Sequence, residues 1–546
     1  MIILMGNIFL EITIIICLAA FLSLFFRLIK QPPILAYIAT GIILGPFGGF
    51  QLQSRDFLQA MGELGIAFLL FMIGLELKFS DLKSVGKTSL FVGILQIVLT
   101  SAGGFVLSTA LGFSQIVASY IGIALAFSST IIVVKILSDK RDLQSLHGKL
   151  AIGILLVQDF FAIFILIFLS SFANGSISPF NILAVLAKGI ILFSSIIFLS
   201  NKVFPKILDR IASSSETLFL FSIAWALGFC ALVASPLIGF SIEIGGLLAG
   251  VALANTAENF QIIGKTKSLR DFFVVIFFVF LGMNMNFSSF SKILIPAIAL
   301  SLFVLFAKPL IIMPIVGSFG YKKRTAFLTG ISLSQVSEFS FIIIFLGNKI
   351  GQVPSDIVSL ITTVGIVTFA VSTYMILKSK NIYQILGVKI PFFERKNVHG
   401  EVNDSTQKDH VVLVGANRTG GSVLEALLEQ GEKVLVVDFN PDVIRQLRNK
   451  KIPSLFGDIS DLEIQDRANI RQARLIISTV ADIEDNLLLV SEIRKLKRRP
   501  KIVTIAMDSR EEQTLKKAGV DYIIQPHILG GKYLAHLIKT NSIFKI

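Results

Sequence analysis

The chain is short of charge. Only 16% of its 546 residues are Asp, Glu, Lys or Arg, against 54% hydrophobic, and the mean hydropathy is +0.78. Soluble domains carry about 25% charged residues, so a wholly soluble protein is excluded and at least part of the chain lies in a membrane. Cysteine is scarce too: Cys17 and Cys230 both sit in apolar runs. Two such residues exclude a disulfide scaffold and a thiolate metal cluster, and they read as small buried hydrophobes. Basic residues are missing ahead of the first apolar run, which leads into Arg27. That run reads as a retained membrane helix rather than a cleaved signal. No Thr-Val-Gly-Tyr-Gly stretch is present, which speaks against a channel filter. No acid–base pair suited to hydride transfer is visible, so no enzyme is expected. The net charge is +14, yet most Lys and Arg of the first 380 residues fall in short loops. Topology accounts for them, and no nucleic-acid partner is expected.

What the chain has in quantity is apolar runs of spanning length. They fall at 5–28, 33–50, 57–78, 88–112, 114–138, 149–173, 180–201, 216–235, 237–257, 269–286, 291–316, 324–348 and 355–378, each long enough to cross a bilayer core. Basic residues cluster after the odd-numbered runs: Arg27 and Lys30, Lys78 to Lys87, Lys140 to Lys149, Lys202 to Arg210, Lys265 to Arg270, Lys322 to Arg324, Lys378 and Lys380. The positive-inside rule then puts the N-terminus outside and everything after Lys380 in the cytoplasm. The expected location is the cell's inner (plasma) membrane.

Four polar features interrupt these runs. The sixth carries Gln158 and Asp159 in its middle. A carboxylate there costs ~2.5–3.5 kcal/mol on insertion scales, so it reads as a functional group. The fifth holds Ala126-Phe-Ser-Ser-Thr-Ile131, in which Ser128, Ser129 and Thr130 can satisfy an unwound backbone or simply contact a neighbouring helix. The eleventh holds Lys308 directly before Pro309, which removes a backbone donor and favours a kink. The twelfth holds Ser332-Leu-Ser-Gln-Val-Ser-Glu-Phe339, with Gln335, Ser337 and Glu338. Breakable helices in both halves are the mark of an inverted-repeat transporter with a midplane site. The expected mechanism is competition: Asp159 is neutralised either by a proton or by a monovalent cation, and the site moves in either state but not bare.

With Gly246-Leu-Leu-Ala-Gly250 and Phe280-Leu-Gly-Met-Asn-Met-Asn-Phe287, these motifs resemble the monovalent cation:proton antiporter-2 family, in its Kef-type potassium:proton branch. The resemblance implies a thirteen-helix membrane all-α domain over 1–380, a homodimer, and two crossed, partly unwound helices around the aspartate. It implies that Asp159 binds the cation and the proton, with Gln158 where electrogenic relatives carry a second acid. Ser128, Ser129 and Thr130 would lie in the first unwound helix and Gln335, Ser337 and Glu338 in the second. Lys308 would match a lysine that pairs with the acidic centre. One carboxylate points to electroneutral exchange. Oxygen ligands suit K+ and Na+ alike, and the resemblance favours K+. The alternatives are a Na+/H+ antiporter or a nucleotide-gated, channel-like K+ efflux system; an ancillary subunit is a further expected partner.

After a polar connector at 381–409 the pattern changes to strand–helix alternation. Apolar strands are expected at 411–415, 433–438, 452–456, 475–479, 502–506 and 522–524, a doubly wound α/β sheet of Rossmann type. The first strand leads into Gly415-Ala-Asn-Arg-Thr-Gly-Gly421, and Asp438 ends the second. A glycine turn between strand and helix with an acid about twenty residues on is a dinucleotide fingerprint, with Asn417 in place of the middle glycine. The segment 410–526 resembles the TrkA-N (RCK N-terminal) domain. The resemblance implies a regulatory AMP or NAD(H)-type nucleotide on Gly415, Asn417, Arg418, Thr419, Gly420 and Asp438, with Gly457, Asp458 and Thr479 completing the pocket. The loop at 257–267 lacks the acidic segment associated with glutathione gating, and 527–546 is a short tail.

Overall fold

The computed structural model describes residues 8–45, 55–76, 86–140, 142–170, 191–192, 194–211, 214–235, 238, 240–286, 290–321, 323–386, 408–438, 441–457, 459, 462–496 and 499–540. The chain forms two units: Met1–Ile136, Leu150–Ile315 and Phe327–Leu386 in the first; Leu137–Lys149, Val316–Ala326 and Gly387–Ile546 in the second.

Within the described residues helices follow the apolar runs; of the seventh expected run, 180–190 lies outside them. They are α1 (Ile8–Leu28), α2 (Pro33–Leu44), α3 (Arg55–Glu76), α4 (Gly86–Ala110), α5 (Gln115–Ala126), α6 (Thr130–Asp139), α7 (Leu146–Ser170), α8 (Phe204–Ile211) and α9 (Ser215–Ala234). Then come α10 (Ile242–Leu253), α11 (Asn259–Met283), α12 (Phe290–Leu302), α13 (Lys308–Ser318), α14 (Lys323–Ser332), α15 (Glu338–Lys349), α16 (Ser355–Leu377) and α17 (Ser379–Leu386). Among the described residues seven helical stretches are long and apolar enough to cross a bilayer, beside shorter apolar ones such as α2 and α10.

The fifth and twelfth runs each fold as two short helices separated by a non-helical stretch, 127–129 between α5 and α6 and 333–337 between α14 and α15. The second stretch stops where Ser337 caps α15: its hydroxyl accepts from Phe339 N–H while the Ser340 hydroxyl accepts from Ser337 N–H. Such a reciprocal cap fixes a helix start from local sequence. The eleventh run stays helical through Pro309, because a π-turn, Phe303–Ala307, precedes Lys308 and takes up the irregularity. Helix α11 starts ten residues before the expected 269, its first turns being polar (Asn259, Gln261, Lys265, Lys267) and below any apolar threshold. Asn259 Nδ2 donates to the carbonyl of Leu75, which ties that polar start to α3. The connector expected at 381–409 begins inside α17, and 387–407 lies outside the described residues.

Within the first unit α3 packs along α10 and α11, and α9 along α10. Phe68, Phe71, Phe204, Phe229 and Phe273 fill that group, with Phe68 and Phe273 stacked at 5.0 Å. A second group joins α4 to α5, α5 to α15, and α16 to both α12 and α15. Phe9, Phe21, Val106, Leu220 and Ile295 stay exposed. On a membrane unit such residues meet lipid tails rather than water.

The second unit contains a six-stranded sheet: β1 (Val411–Val414), β2 (Val434–Asp438), β3 (Ser454–Phe456), β4 (Leu475–Ser478), β5 (Lys501–Ile505) and β6 (Tyr522–Ile524), ordered β3-β2-β1-β4-β5-β6 with every pairing parallel. Its helices are α18 (Arg418–Glu429), α19 (Pro441–Asn449), α20 (Leu462–Arg467), α21 (Ile483–Arg494), α22 (Ser509–Ala518) and α23 (Pro526–Lys539). Strands β1 and β2 are unbroken Val and Leu, buried throughout up to the closing Asp438, as a sheet covered on both faces requires. The order reverses between β1 and β4, and the crevice beyond their C-terminal ends is where such sheets bind ligands.

Candidate functional site

In the membrane unit the site is built by two helices that stop in mid-run. A stop frees carbonyls and N–H groups that hydrocarbon cannot satisfy. Here side chains satisfy them, and each break is bonded to the other. From the first break, Ser128 N–H donates to Gln158 Oε1 at 2.9 Å and its hydroxyl donates to the carbonyl of Leu333 in the second break at 2.9 Å. The Ser129 hydroxyl donates to Glu338 Oε1 at 2.8 Å. The Thr130 hydroxyl donates to Asp159 Oδ2 at 2.8 Å. The three hydroxyls thus reach three different elements: the second break, the start of α15, and the middle of α7.

Lys308 lies between the breaks, fully buried. Its Nζ donates to the carbonyl of Phe127 at 2.7 Å and to that of Gln335 at 3.0 Å. The expectation was a lysine paired with the acidic centre; the observed bonds join the main chains of the two breaks. The Gln335 side chain is also fully buried, and among the described residues neither Nε2 nor Oε1 has a hydrogen-bond partner. A buried amide left so costs about 1–3 kcal/mol for each unmet group. Asp159 is half-buried, whereas Gln158 beside it is fully buried. Consecutive residues lie about 100° apart on a helix, which lets Gln158 meet Ser128 and Asp159 meet Thr130. Ser337 serves as the cap of α15 and donates to Glu338 Oε2 at 3.4 Å.

At the C-terminal edge of the sheet Gly415 takes φ +81°, a conformation that favours glycine. The Asp438 carboxylate accepts from Ala416 N–H at 2.8 Å and so braces the turn. The Thr479 hydroxyl donates to the carbonyls of Val414 and Gly415 at 3.2 and 3.1 Å. A Cβ at Gly420 would stand 2.0 Å from the Gly415 carbonyl, so the turn closes only with glycine there. Asn417 and Thr419 are exposed beside the turn, and Arg418 opens α18. Gly457 N–H donates to the carbonyl of Asp438 at 3.1 Å. Asp458 lies outside the described residues. A tight glycine turn before a helix N-terminus, with an acid at the end of the next strand, fits a nucleotide's phosphate and ribose.

The transmembrane sodium/hydrogen exchanger family matches residues 13–378, more than half of the 546. This chain belongs to that family. The TrkA-N domain family matches residues 411–526 of the exchanger. It is 25% identical over 539 residues to YbaL of Escherichia coli, named as a cation/proton antiporter, covering 96% of each chain. It is 29% identical over 420 residues to K(+) efflux antiporter 5 of Arabidopsis thaliana, covering 75% of this chain and 72% of that one. Its fold is similar to that of MjNhaP1, a sodium proton antiporter of Methanocaldococcus jannaschii, with a TM-score of 0.52 at 18% identity over 69% of this chain and 97% of the other. The exchanger is therefore a multi-pass cation:proton antiporter, a transporter rather than an enzyme.

Sequence reasoning missed two residues of this candidate site. Gln96 on α4 accepts from Gln158 Nε2 and donates to the carbonyl of Ala126 at 2.9 Å. Ser340 donates to the carbonyl of Ala124 near the end of α5. One uncharged amide or hydroxyl in a long apolar run reads as ordinary helix–helix adhesion. The available signal was that Gln96 stands alone in the middle of an otherwise apolar stretch of α4.

Proposed function

We propose that this exchanger trades K+ for H+, one for one, through alternate occupation of Asp159, and that a nucleotide on its TrkA-N domain regulates the rate. The observation that carries the reading is a pair of broken helices laced to one another, with Thr130 at the first break donating to the Asp159 carboxylate at 2.8 Å. A proton or a cation can neutralise it, and burial disfavours the empty anion in transit. The unmet Gln335 amide supplies a further oxygen for a partly dehydrated ion. K+ is favoured by the K(+) efflux antiporters among the relatives. The reading includes a homodimer in the cell's inner membrane, N-terminus outside, with an ancillary subunit as a further partner.

With Gln158 neutral, one positive charge crosses each way. A potential of 100 mV is worth about 2.3 kcal/mol per net charge moved, so an imposed potential should leave K+-driven proton movement in proteoliposomes within about twofold of its unpolarised rate. A steep acceleration would show net charge transfer and refute the one-for-one count.

Regulation rests on the glycine turn and on what adjoins it. Helix α21 follows the β4 end that carries Thr479, and its Asp485 pairs with Arg324 at 2.9 Å within the second unit. Arg324 lies in the first turn of α14, whose last residue, Ser332, precedes the second break. The nucleotide, when held, would place its phosphates at the start of α18 and its ribose near Asp438. Asp438→Ala removes the brace of the turn and the ribose acceptor together. Calorimetric titration of the full-length protein with AMP and with NADH should show at least tenfold weaker binding for this variant. Unchanged affinity would place the nucleotide elsewhere.

A further inference from the structure

We infer that Gln96 is a positioning residue for exchange: with Gln158 it forms an amide chain of fixed polarity that sets the first helix break in front of Asp159. The inference deepens the reading of Asp159 as the carrier and rests on it. The break leaves two main-chain groups that cannot change roles, since the Ala126 carbonyl can only accept and Ser128 N–H can only donate. Gln158 Oε1 accepts from Ser128 N–H at 2.9 Å. That orients Gln158, whose Nε2 donates to Gln96 Oε1. Gln96 is oriented in turn, and its Nε2 donates to Ala126 O at 2.9 Å and to Thr100 Oγ1 at 3.1 Å. Gln96, Gln158, Ser128 and Ala126 are each 0% exposed, so no water can stand in for a lost link. The chain therefore runs in one direction from Ser128 N–H to Ala126 O, closing a loop around Phe127, whose carbonyl Lys308 holds. The same segment leads into Thr130, which touches Asp159.

The polarity has a second consequence. A carboxylate at 158 could still accept from Ser128 N–H, but it would turn its other oxygen on Gln96 Oε1. If the Gln96 amide rotated to donate, its own oxygen would meet the Ala126 carbonyl. The neutral residue beside Asp159 is therefore a property of the pair, and Gln96 enforces it.

The test uses the full-length protein in proteoliposomes, with K+-driven proton movement measured against K+ concentration. Gln96→Met keeps the volume and removes both links; it should raise the KM for K+ about tenfold with a smaller change in kcat. Gln96→Asn keeps an amide too short to span both partners and should fall between. The double variant Gln96→Met with Gln158→Met should be no worse than Gln158→Met alone, because both remove one chain; a packing defect would instead multiply. Wild-type KM in Gln96→Met, or in Gln96→Asn if the methionine variant does not fold, overturns the inference, as do multiplying defects. Asp159→Asn runs alongside. If it is dead while the Gln96 variants behave as wild type, only the role of Gln96 fails; if it exchanges, the carrier reading fails.

Discussion

Asp159→Asn should abolish K+-driven proton movement in proteoliposomes, by at least a hundredfold, while the protein stays folded. Asparagine is close to isosteric, and its side-chain oxygen can still accept from the Thr130 hydroxyl that now bonds Oδ2 at 2.8 Å. The lacing of the breaks through Ser128, Ser129 and Lys308 does not involve position 159. What the amide cannot do is take up a proton or balance a cation's charge. With no anion at the site the two substrates no longer compete, and coupled exchange ends. A variant that still exchanged would move the carrier function to another acid, with Glu338 the first to examine.

Lys308→Met should slow exchange at least tenfold and lower the melting temperature in detergent. The lysine bonds two carbonyls, Phe127 and Gln335, one in each break. Methionine matches its length and donates nothing, so two buried acceptors lose their partner at a cost of about 1–3 kcal/mol each. Against this stands the relief of a polar amino group held fully out of water. The two terms oppose each other in stability and so give a modest melting shift. They do not oppose each other in geometry, because among the described residues no other side chain bonds both of those carbonyls. Exchange should therefore suffer more than folding. Wild-type rate and melting in this variant would show that the two breaks keep their places without the lysine.

Much of the architecture was legible because it is written in composition and period. Apolar runs gave the helices, and Val, Ile and Leu strands separated by amphipathic helices gave the parallel sheet. The boundaries that escaped were those set by tertiary contact. Helix α11 begins in a polar stretch that is helical because Asn259 bonds to Leu75, a residue far away in sequence. The residues around the breaks stood out as polar groups where lipid tolerates few. Which bonds they make was not legible: no spacing rule says that Ser129 finds Glu338 or that Lys308 finds two carbonyls. Gln96 escaped because an uncharged amide in an apolar helix is common, and its meaning comes only from its neighbours across the bundle.

The π-turn at Phe303–Ala307 has a consequence for length rather than for chemistry. One extra residue in that turn sets the rotational phase of everything after it, beginning with Lys308. If the turn tightened to an ordinary helix with its residue count unchanged, the Lys308 amino group would swing about 100° around the axis. No side-chain replacement at 308 could bring it back. What this stretch must keep is therefore the match between its residue count and the width of its turn.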